Sequence, residues 1–184
     1  MNGLVLGDGH IHFPTPDRPG YLQVRMTNRR FVEWLDDQFG WLSTGARLYR
    51  EETARRRTAY SVRTRSHGWF ERYREWYEDG QTVVPTGYSL SPLAARIWYV
   101  SDGSISWGAK PSLRLYCSDY VDSTPDRIPE LFDEHGFAPS VEPYGLRFPV
   151  ADHEVFLNWI GPAPPGFSYK WETDSKERYR RLRS

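Results

Sequence analysis

The chain of 184 residues carries 24 basic against 24 acidic side chains, is 39% hydrophobic and 16% aromatic, and holds a single cysteine. That length and apolar content fit one packed unit, or two halves packed as one, and exclude a disordered chain. No apolar run approaches the roughly 18 residues of a membrane span, the first residues lack the regions of a signal peptide, and Cys117 alone excludes an internal disulfide framework or a cysteine zinc cluster; a soluble, cytoplasmic protein is expected.

Two apolar runs are related to each other. Gly3–Ile11 and Ile97–Ile105 both end in small residue, Asp, Gly, any residue, Ile, with Asp8 and Asp102 lying 94 positions apart. After the first run, His10–Phe13 and Tyr21–Thr27 read as a hairpin. Asn28 caps an expected helix at Arg29–Phe39, which Gly40 stops. Ala46–Arg50 and Arg57–Arg65 alternate as strands, and the aromatic spacing predicts a helix over His67–Glu78.

The same order follows in the second half. Ser91-Pro92 opens a helix at Leu93–Ser101, Ser104–Trp107 and Ser112–Ser118 pair, and Thr124–His135 is a helix ended by Gly136. Val141–Glu142 and Gly145–Pro149 form another pair, and Asp152–Ile160 is the last helix. The expected class is therefore α+β, two pseudo-symmetric αββαββα repeats. Their boundaries fall at residues 1–81 and 91–171, with a linker at 82–90 and a basic tail at 172–184.

Asp8 and Asp102 close their helices just before Gly9 and Gly103, where a glycine is expected in the left-handed conformation. A carboxylate among terminal helix carbonyls opposes the macrodipole, but it supplies the hard oxygen ligands that Mg²⁺ takes. Asp-Gly on its own is ordinary turn chemistry; two copies in matching context favour the metal reading. Gly3 and Gly7 share a face and allow another helix to approach. If the two helices pack side by side, the carboxylates meet at one end, and with a divalent cation they make a phosphodiester-cleaving centre.

Met1–Gly9 resembles the nine-residue motif of the LAGLIDADG homing endonucleases, and Ala95–Gly103 resembles its second copy. The stretch Trp76-Tyr77, Gly80, Val83-Val84-Pro85, Leu90-Ser91-Pro92 is similar to the segment joining the halves of single-chain members. Phe167–Trp171 resembles the Tyr-Lys signature near the end of the second half. The resemblance implies two αββαββα halves about a pseudo-two-fold axis, motif helices at the interface and a β-saddle over DNA. It implies a site-specific, Mg²⁺- or Mn²⁺-dependent enzyme that cuts both strands of a long asymmetric double-stranded site. By position, Asp8 and Asp102 inherit the metal role, with carbonyls of Gly7 and Ser101 as further ligands, and Lys170 inherits the catalytic basic role. A monomer acting on host DNA, intron- or intein-associated, is implied. The alternative is a cleavage-deficient DNA- or RNA-binding relative, a maturase or a regulator.

Three departures from the family pattern carry consequences. Gly80-Gln81-Thr82 stands where the family has Gly-basic-Lys, so the two cleavage sites are unequal. The first motif starts without the leading turn most members have, which implies weaker packing there. Ile97, with Arg96 beside it, replaces the interface glycine, so the close-contact face of the second helix is shifted.

Alternation places Gln23 with Arg25, Arg47 with Tyr49, Arg63 with Arg65, and Arg114 with Tyr116 on shared strand faces, and Lys110 and Arg147 join this set as expected DNA contacts. An exposed arginine also serves solubility, so the shared face carries the expectation. Arg56, within the run 55–57, is expected on phosphates, and the basic tail at 178–183 reads equally as a DNA clamp or as a solvated terminus. His10 and His12 lie beside Asp8 with no third metal ligand in view, and His10 is expected on DNA or its water. His67, His135 and His153 are expected at helix ends or on exposed faces, Cys117 in packing, and Trp107 at a turn facing DNA.

Overall fold

The computed structural model describes residues 1–50, 58–78, 80–106, 111–117 and 127–172, with the backbone alone at 49 and 50. Its first half runs α1 (Asn2–Leu6), β1 (Gly9–His12), β2 (Tyr21–Met26), α2 (Arg29–Phe39), β3 (Ser43–Arg50), β4 (Thr58–Thr64), a 3₁₀ helix (Gly68–Trp76) and a small hairpin, β5 (Tyr77–Glu78) with β6 (Gln81–Thr82). The second half runs α3 (Pro92–Asp102), β7 (Gly103–Ser106), β8 (Ser112–Tyr116), α4 (Arg127–Asp133), β9 (Ser140–Glu142), β10 (Gly145–Phe148) and α5 (His153–Ile160), followed by a 3₁₀ turn at Ser168–Lys170.

The sheets are antiparallel and share one topology, β1-β2-β4-β3 in the first half and β7-β8-β10-β9 in the second. Register fixes the faces. Ile11, Leu22, Val24 and Val62 point into the core of the first half, and Leu113, Leu115, Leu146 and Phe148 into that of the second. The alternate residues of each strand form the other face, as a period of two requires. Registers also match between halves: Gly9 pairs Val24 as Gly103 pairs Leu115, and Gln23 pairs Arg63 as Arg114 pairs Arg147.

The capping signals work as read. Asn28 Oδ1 accepts from Phe31 N (3.2 Å) to start α2, Ser91 Oγ accepts from Ala94 N (3.2 Å) to start α3, and Gly40 ends α2 at φ 52°. Helix α3 is buried almost all round, through Ala94, Ala95, Ile97, Trp98, Tyr99 and Val100, which marks a central element. It lies against α1, whose Gly3–Leu6 are also buried. A Cβ on Gly3 would stand 2.2 Å from Ala94 O, and one on Gly7 2.4 Å from Ser101 Oγ. The close-contact face of α3 thus runs through Ala94 and Ser101.

That backbone contact has a measurable consequence. Gly3→Ala is expected to cost at least the 1–3 kcal/mol typical of overpacking, read as a lower denaturant midpoint. Gly68→Ala, whose Cβ meets nothing within 4 Å, is expected to stay within about 0.5 kcal/mol of the parent. Equal stability of the two variants would contradict the helix contact.

Three expectations are corrected. Gly9 and Gly103 are the first residues of strands, with Gly103 at φ −77°, and neither is left-handed. They are glycines for room, since a Cβ would fall 2.7 Å from Leu4 O or 1.9 Å from Tyr99 Cδ2. The helix expected over His67–Glu78 is a 3₁₀ helix that stops at Trp76, and Tyr77 and Glu78 turn into β5. Its buried residues Phe70, Tyr73 and Trp76 recur every third position, the 3₁₀ period. Asp8 does not close its helix: α1 ends at Leu6 with Gly7 as its C-cap, and Asp8 lies one residue further on. His153 stands at a helix end as expected, buried at the start of α5, where its Nε2 accepts from Leu113 N (3.2 Å) and ties the helix to β8.

Candidate functional site

Asp8 follows α1 at the point where it abuts α3. Its backbone N–H donates to Ser101 Oγ (3.2 Å), so the two motif segments are joined at the residue pair Asp8 and Ser101. Protein packed around the Asp8 carboxyl raises its pKa above the ordinary range, against the Ser101 hydroxyl and the Lys170 ammonium, which both lower it. Asp102, the last residue of α3, is half-buried, and its Oδ2 accepts from Trp98 Nε1 (3.1 Å) one helical turn back. The indole holds one carboxylate oxygen in place from within the same helix.

Lys170 comes from the far end of the chain. Its Nζ donates to Val100 O (2.6 Å) and Tyr99 O (3.4 Å), the last-turn carbonyls of α3, while Tyr99 OH donates back to Lys170 O (2.9 Å). Burial pushes the ammonium pKa down to about 8, and the charges of Asp102 and Asp8 oppose that fall. The first half helps to deliver this lysine. Asn28 Nδ2 donates to Gly166 O (2.8 Å) and Phe31 meets Phe167 edge to face at 5.3 Å, so α2 anchors the segment leading to residue 170.

Asp8, Arg25, Asn28, Ser101, Tyr169 and Lys170 line an open cavity of about 490 Å³, and Asp102 is not among its lining residues. The arrangement puts the Asp8 carboxylate, Lys170 and the β2 arginine Arg25 around one cavity, with Asp102 at the end of α3. Gly7 serves here as the contact surface for Ser101. The donor set suits a hard cation. Among the described residues no group of three His, Cys, Asp or Glu surrounds one point, and Mg²⁺ is commonly held by one or two carboxylates while keeping water or phosphate oxygens.

On the first sheet, His10, His12, Tyr21, Gln23, Arg25, Arg47 and Arg63 occupy the face turned from the core. Arg63 stacks on Tyr21 (4.2 Å), and Gln23, with its amide oxygen turned toward Arg25, accepts from Arg25 Nε (3.0 Å) and Nη2 (3.2 Å). Both imidazoles are held below the ordinary histidine range by burial, and His12 further by the nearby His10, Arg25 and Arg63. Arg25, Arg47 and Arg63, with no acidic residue on the described strands of this sheet, make the face electropositive. On the second sheet, Arg114, Tyr116 and Arg147 hold the corresponding face. Arg65 departs from the expected set: it lies one residue beyond β4 and donates from Nε to Trp41 O (3.1 Å), because the strand ends at Thr64.

Lys110, Arg56 with its neighbours 55 and 57, Trp107 and the tail at 173–184 lie outside the described residues, as does the side chain of Tyr49. Cys117 is buried with its thiol pKa pushed up to about 12, consistent with packing. Sequence reasoning missed Trp98, although its spacing of four from Asp102 on one helix was a usable signal. It read Asn28 only as a cap and Ser101 only as a carbonyl, because their second roles depend on contacts between the halves.

Among the described residues no helix is long and apolar enough to cross a membrane. A search of curated proteins returned no match. Among solved structures, the homing endonuclease I-WcaI bound to its DNA recognition sequence matches with a TM-score of 0.82 at 19% identity, covering 94% of this chain and 84% of that one. At that identity the likeness speaks for the fold: two αββαββα repeats with the motif helices between them. The profile of the LAGLIDADG DNA endonuclease family matches residues 1–142. With its two Asp-terminated motif segments packed at the centre of that fold, the chain belongs to the LAGLIDADG DNA endonuclease family.

Proposed function

We propose that this protein is a site-specific endonuclease that binds a long, asymmetric double-stranded DNA site as a monomer and hydrolyses both strands with divalent metal. One observation carries the reading: Asp8, Ser101 and Lys170 converge from three distant stretches of chain at the end of the α1–α3 pair, between two sheets. Asp8 and Asp102, with carbonyls of Gly7 and Ser101, would hold Mg²⁺ or Mn²⁺, which supplies an activated water and neutralises charge on the phosphoryl oxygens. Trp98 fixes the Asp102 carboxylate, and Ser101 hydrogen-bonds to Asp8. Lys170 contributes positive charge where the transition state is most anionic. Arg25, on the cavity wall, bonds the phosphate that enters it. The sheet faces supply the remaining duplex contacts, with phosphates setting position and base edges setting sequence.

Incubation with a randomised duplex library and Mg²⁺, followed by sequencing of the ends, tests this directly. Recovery of a defined cut site is expected. Selection of a defined bound sequence with no cut ends would point to the cleavage-deficient alternative, and no duplex binding at all would refute the reading.

Salt dependence gives a second measurement. Affinity is expected to fall steeply between low and physiological salt, with a log–log slope of about −0.9 per phosphate neutralised. Changing Arg63 or Arg114 to Ala is expected to relax preference at particular base pairs, each by about 1–3 kcal/mol of discrimination where the contact is bidentate. A flat salt response would leave the sheets without a duplex.

A further inference from the structure

Among the described strands of the two sheets, Glu142 is the only acidic residue. It sits on the outer face of β9, opposite Gly145 of β10, and makes two ion pairs: Oε2 with Arg114 Nε at 3.1 Å and Oε1 with Arg147 Nη1 at 3.5 Å. Arg114 and Arg147 are themselves directly opposed across β8 and β10, a like-charge pair that repels unless something lies between. Gly145 makes the bridge possible. Without a side chain there, Glu142 reaches across β10 to a residue two strands away, and a Cβ on Gly145 would stand 2.1 Å from Leu115 O.

The equivalent place in the first half carries the opposite charge. Arg47 pairs Ser61, the counterpart of Gly145, as Glu142 pairs Gly145, and Gln23 and Arg63 stand where Arg114 and Arg147 do. One face therefore presents Arg47, Arg63 and Arg25 with no carboxylate among its described strands. The other presents two guanidiniums tied to one carboxylate.

We propose that Glu142 is the positioning residue that sets base preference under the second sheet, by holding Arg114 and Arg147 as a fixed pair directed at the duplex. This rests on the DNA-binding reading above. Arg114 comes nearest the carboxylate at Nε, as an ion pair without hydrogen-bond geometry, so its Nη edge is the part that meets guanine O6 and N7. All three side chains are only part-exposed, between 29% and 40%, so solvent screens the cluster incompletely. Removing the carboxylate releases two cations to follow phosphates, which strengthens indiscriminate binding as it weakens readout. Affinity and specificity thus move in opposite directions, which a merely structural role would not produce.

The test selects bound duplexes from a randomised pool with the parent, Glu142→Gln and Glu142→Asp. For Glu142→Gln, preference is expected to fall about 10-fold or more at positions beneath the second sheet, with the first half-site unchanged as an internal control for folding. The salt slope is expected to steepen by up to about one phosphate. Glu142→Asp, which keeps the charge, is expected to retain most of the preference. Identical selected sequences for parent and Glu142→Gln overturn the proposal, as does equal loss in both half-sites, which makes Glu142 structural. A parent that selects no sequence removes the DNA-binding reading itself, an outcome separable from the failure of Glu142 alone.

Discussion

Asp8→Asn and Asp102→Asn are each expected to slow double-strand cleavage by at least about 10²–10³-fold, the scale set by losing one preorganised electrostatic group, while fold and duplex affinity stay near those of the parent. Asp8 stands two residues past the end of α1 and Asp102 is the last residue of α3, and each variant should leave its surroundings intact. At Asp8 the backbone N–H donates to Ser101 Oγ, a contact that Asn retains. At Asp102 an Asn carbonyl can still accept from Trp98 Nε1. What each substitution removes is a negative charge at the place where a hard cation would be held. Plasmid cleavage and gel-shift titration of the same variants separate the two effects. Parent-rate cleavage by both single variants would remove these residues from the mechanism, and loss of duplex affinity in parallel would make their role structural.

The two strands of the target are expected to be cut at different rates, with a nicked form accumulating before the linear one. Lys170 sits on the last turn of α3, drawn toward both Asp102 and Asp8, beside β7. The corresponding element of the first half is the β5–β6 hairpin. It is docked beside β1, where Tyr77 OH accepts from Ile11 N (2.8 Å) and the Tyr77 ring meets His10 at 5.1 Å. That hairpin carries Gln81 and Thr82, neither of them basic. With a basic group worth about 10²–10³-fold per site, Lys170→Met is expected to suppress the faster nick by that factor, and Thr82→Lys to accelerate the slower one. Supercoiled plasmid followed through nicked to linear forms gives both rates. Equal cutting of both strands, with no nicked intermediate, would mean that another basic residue serves the first site. Because Lys170 also bonds the carbonyls of Tyr99 and Val100, the melting temperature of Lys170→Met shows whether α3 itself is disturbed.

The sequence alone determined the repeat and the class and singled out the two carboxylates as candidates, because each is written in local chemistry. Apolar runs ending in Asp-Gly, a capping Asn28 or Ser91 with helical spacing behind it, and alternating strands are short-range signals, and the αββαββα order follows from them. Gly3 and Gly7 announced a close helix contact, and the structure places Ala94 and Ser101 against them. Local signals misled where two periods compete. The aromatic run from Trp69 to Trp76 satisfies helical spacing, yet the buried set repeats every three residues, and packing of Tyr77 against β1 turns the next two residues into a strand. Tertiary structure alone decided what joins the halves: Asn28 to Gly166, Lys170 to the end of α3, Asp8 to Ser101. It alone decided that Glu142 reaches Arg114 over a glycine, since that contact depends on the register of three strands. Side chains brought together by chain folding leave no periodic trace in sequence, whereas the charges and hydrogen-bonding groups they carry are already fixed there, and the site's chemistry depends on both.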